Sequence, residues 1–370
     1  MSGREFSGPI LLPPPQTGDD GGSIWSARYV WVTLGAFALL FLAALQSLAV
    51  TTVMPAVSDA LDGEALYAVA FSGTLATSVI GMVAAGAWAD RTGPAAPLYA
   101  AVALFVAGLV IDALAPSMGV LVLGRLVMGL GTGGQIVALN VVVARIFPPR
   151  LHGRVFAAFS AAWIVPSLIG PFLAGAVAEF LHWRWVFGGV AVFAVAALAM
   201  IAPRLRDVRA HVEEPAAEPV ARRLLLAAVV AAAALVLALA GELPGAWSWL
   251  VAAAALAVVG LFVLPLLPRG TLRAARGLPS VILMRGLMAG ALFGAEIYVP
   301  KLLIDDFQWT PTWAGLGLTV AALAWAAGAE ISGRHGDRIG NRRLAVLGVV
   351  LLAAAVAGVG ATGPLGLPAL

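Results

Sequence analysis

The sequence predicts an all-α polytopic membrane protein, a bundle of about 11 transmembrane helices whose second half is incomplete, and three observations predict it. First, 61% of the residues are hydrophobic and only 11% charged, with a mean hydropathy of +0.98. So few polar groups cannot cover the surface of a water-soluble globule. Second, apolar stretches of roughly 17 to 25 residues recur, each long enough at about 1.5 Å per residue to cross a hydrocarbon core about 30 Å thick. They are too long for barrel strands, and backbone in lipid must satisfy its own hydrogen bonds, so they are helices. Third, the pattern GxxxDRxG occurs twice, as Gly86, Asp90, Arg91, Gly93 and as Gly333, Asp337, Arg338, Gly340, an offset of 333 − 86 = 247 residues. Each copy follows one long apolar span and precedes another. That marks an internal repeat.

The elements follow in order. Residues 1–27 are rich in proline and glycine and lack the apolar run of a signal peptide, so they are expected to form a disordered cytoplasmic tail, with the first helix retained. Spans 29–54, 67–89, 95–115, 118–146, 155–179 and 185–203 make an N-terminal six-helix unit over residues 28–203. Residues 204–275 are read as a cytoplasmic linker, beginning RLRDVRAHVEEP, plus two inserted helices at 223–241 and 247–268. The repeat fixes where this insert ends: Gly86 lies 86 − 28 = 58 residues after Arg28, and 58 residues before Gly333 is position 275, beside Arg276. Spans 279–303, 312–332 and 344–362 then match the first three, as an incomplete C-terminal unit over 276–370. After its motif the first unit runs 203 − 93 = 110 residues and the second 370 − 340 = 30, so a shortfall of 80 residues, or three helices, is expected.

On a path that starts inside, the basic residues fall on the inner tail and loops, or just inside a helix start for Arg285. The exceptions are Arg184 and Lys301 outside and Arg125 within helix 4. Such a bias predicts a cytoplasmic N-terminus and a multi-pass protein of the cell membrane. The acidic residues Asp59, Asp62, Glu64, Asp305 and Asp306 fall outside on the same path. The net charge of +3 therefore reports topology, and no nucleic-acid partner is expected.

Several motifs lie on these helices. GAWADRTG, with Pro94 after it, joins helices 2 and 3, where the glycines let helix ends approach and Asp90 can cap a helix start while pairing with a nearby arginine. Helix 4 carries Gly124, Arg125, Gly129, Gly131, Gly133 and Gly134 in LGRLVMGLGTGG. These satisfy GxGxxG, but no strand–helix–strand pattern surrounds them, and such spacing suits close packing of membrane helices. Arg125 is costly in an apolar span, so it faces a partner or a watery cavity, or snorkels from the outer helix end. Helix 5 reads AAWIVPSLIGPFLAG, with Pro166, Gly170, Pro171 and Gly175. The prolines bend it and the glycines permit tight contact, as a hinge or as a plain packing helix.

Over most of residues 28–362 these motifs resemble the major facilitator superfamily, and within it the fourteen-helix drug:proton antiporter branch. GxxxDRxG resembles the family's loop motif, with Pro94 replacing its final basic residue, and the resemblance implies a conformational latch made by both copies. LGRLVMGLG resembles RxxxGxG and implies that Arg125 sits near a proton path. Helix 5 resembles the antiporter motif GxxxGPxxGG, with departures at Pro166 and Ala174, and HWRWVF at 182–187 resembles that branch's entry to helix 6. In helix 1, LQSLAVTTVMP aligns with a pattern whose acid is here Gln46, which cannot titrate. A coupled proton must then bind elsewhere. The candidates are Glu296, Asp112 and Glu330. Glu296 is preferred because GALFGAEIYVPKLL sets it within an apolar span, unless it pairs with Lys301. Asp112 is expected at the outer interface and Glu330 beside the Asp337 and Arg338 cluster. Gln46 and Trp163 are the expected substrate-cavity residues.

Other functions are excluded. There is no cysteine, no GxxxxGK[ST], no GxSxG, and His152, His182, His211 and His335 show no metal-ligand spacing. The expected function is secondary transport: proton-coupled efflux of small hydrophobic or cationic compounds by two units rocking about a cavity lined by helices 1, 4, 5 and 9. No cofactor or metal is expected, the proton gradient supplies the energy, and enzyme chemistry has no seat. The expected partners are a small-molecule substrate, protons and the lipid bilayer, and the sequence leaves the oligomeric state open. A truncated, non-transporting fragment, or a partner of a second chain, is the alternative.

Overall fold

The computed structural model describes residues 23–205, 220–268 and 270–365. The first 22 residues of the expected tail, residues 206–219 of the expected linker and Arg269 lie outside the described residues, as do the side chains of Glu330, Asp337 and Arg338. Among the described residues the chain forms helices α1 (Val30–Ala60), α2 (Tyr67–Thr92), α3 (Ala95–Leu114), α4 (Met118–Ile146), α5 (Pro149–Phe180) and α6 (Arg184–Leu205). It continues with α7 (Val220–Leu239), α8 (Ala246–Val263), α9 (Leu278–Asp305), α10 (Pro311–Ile339) and α11 (Asn341–Leu365). Among the described residues nine of these, α1 to α9, are long and apolar enough to cross a membrane. The chain is an all-helical, multi-pass membrane protein.

Helix ends fall close to the apolar limits, with one systematic difference. α1 continues through Pro55 to Ala60, past the expected limit at 54, and α6 through Pro203 to Leu205, past the expected limit at 203. In a membrane bundle the donor a proline removes is compensated by neighbouring groups, so proline does not end the helix there. The 247-residue offset carries over to the helices themselves. Subtracting it puts α9 on 31–58, against 30–60 for α1, and α10 on 64–92, against the 3₁₀ turn at Glu64–Leu66 followed by α2, which ends at Thr92.

Packing explains the glycines of helix 4. α4 lies between α2 and α3. Gly124 and Gly131 face α3, where a Cβ would run into Gly108, Asp112, Ala101 or Phe105, and Gly129 and Gly133 face α2, where it would run into Thr74, Thr77 or Ser78. Four small residues on two opposite faces thus let three helices approach backbone to backbone. α1 packs on α5 and α6, α7 rides on α2, and α8 on α7. Within the second unit α9 meets α10 and α11, and α10 crosses to α5. The core runs through Leu39, Val53, Met54, Phe105, Leu139 and Phe187, each essentially inaccessible. Short connections make successive helices antiparallel within α1 to α6, α7 to α8 and α9 to α11. One face of the bundle carries the α1–α2, α3–α4, α5–α6, α7–α8 and α9–α10 connections and is the odd-loop face; the other is the even-loop face.

The repeated motif is helical rather than a turn, which corrects the expectation for Asp90. α2 runs through Asp90 and Arg91 to Thr92, and the chain turns at Gly93, with φ 85°. Arg91 in the last turn suits the helix dipole, and a glycine at positive φ is the usual stop. Asp90 therefore does not cap the start of α3, whose preceding residue is Pro94. Asp90 and Arg91 are both exposed and make no ion pair among the described residues. In the second copy α10 likewise runs through Gly333 to Ile339 and breaks at Gly340, φ 87°.

Candidate transport site

Arg125 is 2% exposed inside the bundle, so it does not snorkel to the surface. Its Nε donates to the Ala70 carbonyl of α2 at 3.2 Å and its Nη1 reaches Met128 Sδ at 3.7 Å. Thr74 Oγ1 donates to Ala70 O at 3.1 Å and lies 3.3 Å from the Arg125 carbonyl, tying α2 to α4 at the same level. Asp112, two residues before the end of α3, was expected at an interface with water and is instead 0% exposed. The cause is Gly124: its missing side chain leaves the space that the Asp112 carboxylate fills. Neither carboxylate oxygen has a hydrogen-bond partner among the described residues. Arg125 is near enough for the two charges to act on each other, yet no ion pair within 4.0 Å joins them. The carboxylate is thus held beside a guanidinium with no ion pair between them.

Two amides lie deeper. Gln135 of α4 is fully enclosed; its Nε2 donates to Leu39 O of α1 at 2.8 Å and its Oε1 is unpartnered. Gln46, expected at the cavity wall, is 0% exposed, and neither atom of its amide has a partner among the described residues. Gln135 was missed in the sequence, although a lone amide in the apolar run GGQIVAL was the available signal. Trp163 is an exposed residue of α5. Clefts open elsewhere among the described residues, one of about 550 Å³ against Trp31, Ala199, Met200, Pro203 and Arg204, and one of about 430 Å³ between α2, α7 and α9 with Ser72, Phe293 and Tyr298 in its wall. Neither includes Gln46 or Trp163.

The two units meet in the odd-loop half of the bundle. Gly175 of α5 lies against Pro311 of α10, and Gly315 of α10 against Pro171 of α5, each backbone to backbone. Gly170 instead contacts Leu45 of α1 and Pro166 is buried, so helix 5's motif residues divide between the two neighbours. Thr312 Oγ1 donates to Glu179 Oε2 at 2.6 Å across the same seam. Tyr67 Oη donates to the Ile297 carbonyl of α9 at 3.3 Å. Lys301 Nζ lies 3.1 Å from Glu64 Oε1 and 3.0 Å from Asp305 Oδ2, so it takes these carboxylates rather than Glu296. Glu296 is half-buried on α9 and unpartnered among the described residues. Among the described residues no group of acids and histidines could hold a metal.

A membrane bundle of two related helical units, meeting at one face and carrying buried charge between helices, defines a class of membrane carriers. Residues 36–370 match the Major Facilitator Superfamily, and the chain belongs to it. It is 32% identical over 162 residues to MFS transporter L2 of Phoma sp., covering 43% of this chain and 27% of that protein. It is 34% identical over 172 residues to the MFS efflux transporter aclA of Aspergillus oryzae, covering 46% and 30%. Efflux pump dotC of Dothistroma septosporum is 28% identical over 172 residues, covering 46% and 30%. The matches thus span less than a third of these relatives' length. Among solved structures the fold is shared with a peptide transporter POT in complex with sulfate, at a TM-score of 0.60 and 17% identity over 89% of this chain and 71% of that one. The xylose transporter XylE from E. coli, in a partially occluded inward open conformation, gives 0.53 and 15% over 85% and 74%.

Proposed function

We propose that this transporter couples proton movement to export of small hydrophobic or cationic compounds across the cell membrane by alternating access, as a member of the fourteen-helix antiporter branch. The observation that carries this reading is the buried Asp112 carboxylate, unpartnered beside Arg125. An ionisable group in a membrane helix that is neither paired nor solvated is expensive, and such groups mark ion and proton routes. Glu296 on α9 is the second carrier, placed in the other unit. The efflux names of two relatives support the direction. The charge bias of the loops supports an inner even-loop face and a cytoplasmic N-terminus. On this reading the contact of α5 with α10 closes the outer exit. The energy comes from the proton gradient, with no nucleotide, metal or enzyme step, and the two copies of GxxxDRxG act as latches at the inner face.

The second reading is a chain that transports only with helices from another polypeptide. It is favoured by α9, whose most apolar stretch has no buried residue, whereas that of its counterpart α1 is 67% buried.

Both are tested by reconstituting the 370-residue chain in vesicles and following a fluorescent hydrophobic cation. Export that requires an imposed pH gradient, and that collapses in Asp112→Asn or Glu296→Gln while dye binding persists, is the expected result. Equal export with and without the gradient overturns coupling. Full coupling in both variants removes these carriers, and activity that appears only when a second chain is added selects the second reading.

A further inference from the structure

We propose that Lys301 is a charge lock that holds the odd-loop face shut through Glu64 and releases it by falling back on Asp305, its partner on the same helix. The proposal rests on the two-state reading above.

Lys301 is the single lysine of the chain and lies in the last turn and a half of α9. Its ammonium meets one carboxylate from each unit: Glu64, in the 3₁₀ turn before α2, at 3.1 Å, and Asp305, one helical turn along α9, at 3.0 Å. The same nitrogen stands 5.5 Å from the centre of the Tyr67 ring, whose hydroxyl is bonded to the Ile297 carbonyl and whose face is tilted against Tyr298. One cation thus gathers the start of α2 and the end of α9 into a single contact. It is independent of the duplicated motif, since stepping back 247 residues from Lys301 reaches Met54, and stepping forward from Glu64 reaches Pro311.

The two carboxylates have different parts. Glu64 lies across the seam, and its bond must break whenever the units separate there. Asp305 moves with Lys301 on the same helix, so the ammonium keeps an anionic partner after Glu64 has gone. A bridge without Asp305 would strand a cation at the membrane edge on opening; with it, the exchange costs little in either direction. Glu64 is largely exposed, 82% at its side chain, which keeps its bond in the range of surface ion pairs, about 0.2–1 kcal/mol. That is a lock that biases and does not trap.

The chain has no cysteine, so distances can be read on a clean background. Spin labels on Ala65→Cys and Asp306→Cys, both exposed and one on each side of the seam, report its opening by pulsed electron resonance in lipid nanodiscs. The parent protein is expected to show a short and a long distance. Glu64→Gln and Lys301→Gln are each expected to raise the long population relative to the short by about 1.4- to 5-fold, the ratio that such a pair energy gives. The charge swap Glu64→Lys with Lys301→Glu is expected to lower that population below the parent's, because position 64 then attracts both position 301 and Asp305 across the seam, whereas the repulsion between those two, on one helix, is the same in both states; adding Asp305→Lys is expected to restore the parent ratio. Asp305→Asn alone is expected to lower the long population, the direction that a purely structural ion pair would not produce. Two distances whose ratio is the same in all variants overturn the lock and leave alternating access standing. A single short distance in every variant overturns both, and an Asp305→Asn ratio that moves with Glu64→Gln overturns the partner exchange.

Discussion

Gly175 of α5 and Pro311 of α10 meet backbone to backbone: a Cβ on Gly175 would stand 2.5 Å from the Pro311 carbonyl oxygen. Gly315 makes the reciprocal approach to the Pro171 carbonyl. Since main chain and not the tip of a flexible side chain blocks the way, an added side chain must part the helices. Overpacking of this kind costs about 1–3 kcal/mol.

Gly175→Val is therefore expected to open the seam, shifting its closed-to-open ratio by about 5- to 150-fold on that energy. Cysteines at Glu179 and Thr312, whose side chains touch across the seam, read it directly. High cross-linking yield in the parent and a strong loss in Gly175→Val is the expected pair of results. An unchanged yield would mean that the seam takes the added side chain without parting the helices, and would refute the backbone clash.

Asp112 occupies the space above Gly124, so the two positions are coupled by size. Gly124→Ala is expected to displace the carboxylate and lower stability by about 1–3 kcal/mol, seen as earlier thermal unfolding in detergent. Adding Asp112→Ala is expected to return most of that loss, because the new methyl then fills room the carboxylate has left. Strict additivity of the two changes would refute the contact.

Arg125 and Asp112 should also be coupled by charge. No ion pair joins them, yet the charges act on each other, so Asp112→Asn leaves the buried guanidinium without its nearby anion. Arg125→Met is accordingly expected to destabilise the parent far more than it destabilises Asp112→Asn, measured as a cycle of four unfolding midpoints. Equal losses in both backgrounds would show that the Ala70 bond, rather than the carboxylate, is what Arg125 serves.

Much of the fold was legible because hydropathy and the GxxxDRxG offset report the backbone directly: α10 and α2 end 247 residues apart, at Ile339 and Thr92. What the pattern could not carry was orientation of side chains within a span. Asp112 looked like an interfacial residue by its place near a helix end, and only the absence of a side chain at Gly124, on another helix, draws it inside. Asp90 looked like a cap for α3, yet α2 continues through it because the next residues, Arg91 and Gly93, suit a helix end. The Lys301–Glu64 contact joins residues 237 apart, and nothing local to either marks it.

Gln46 supplies the last prediction, since it is fully enclosed and its amide donor and acceptor both lack partners among the described residues. A buried polar group left unsatisfied costs about 1–3 kcal/mol, and an apolar residue of similar volume removes that cost. Gln46→Leu is expected to raise the thermal midpoint. The residue cannot titrate, so the substitution should leave the pH-gradient dependence of export intact while altering the rate at which the units exchange. A lower midpoint would mean instead that the amide is satisfied in the lipid-embedded protein, by a bound water or by the transported compound. Repeating the measurement with saturating hydrophobic cation separates these, because only in the second case does the compound protect the parent protein and fail to protect Gln46→Leu.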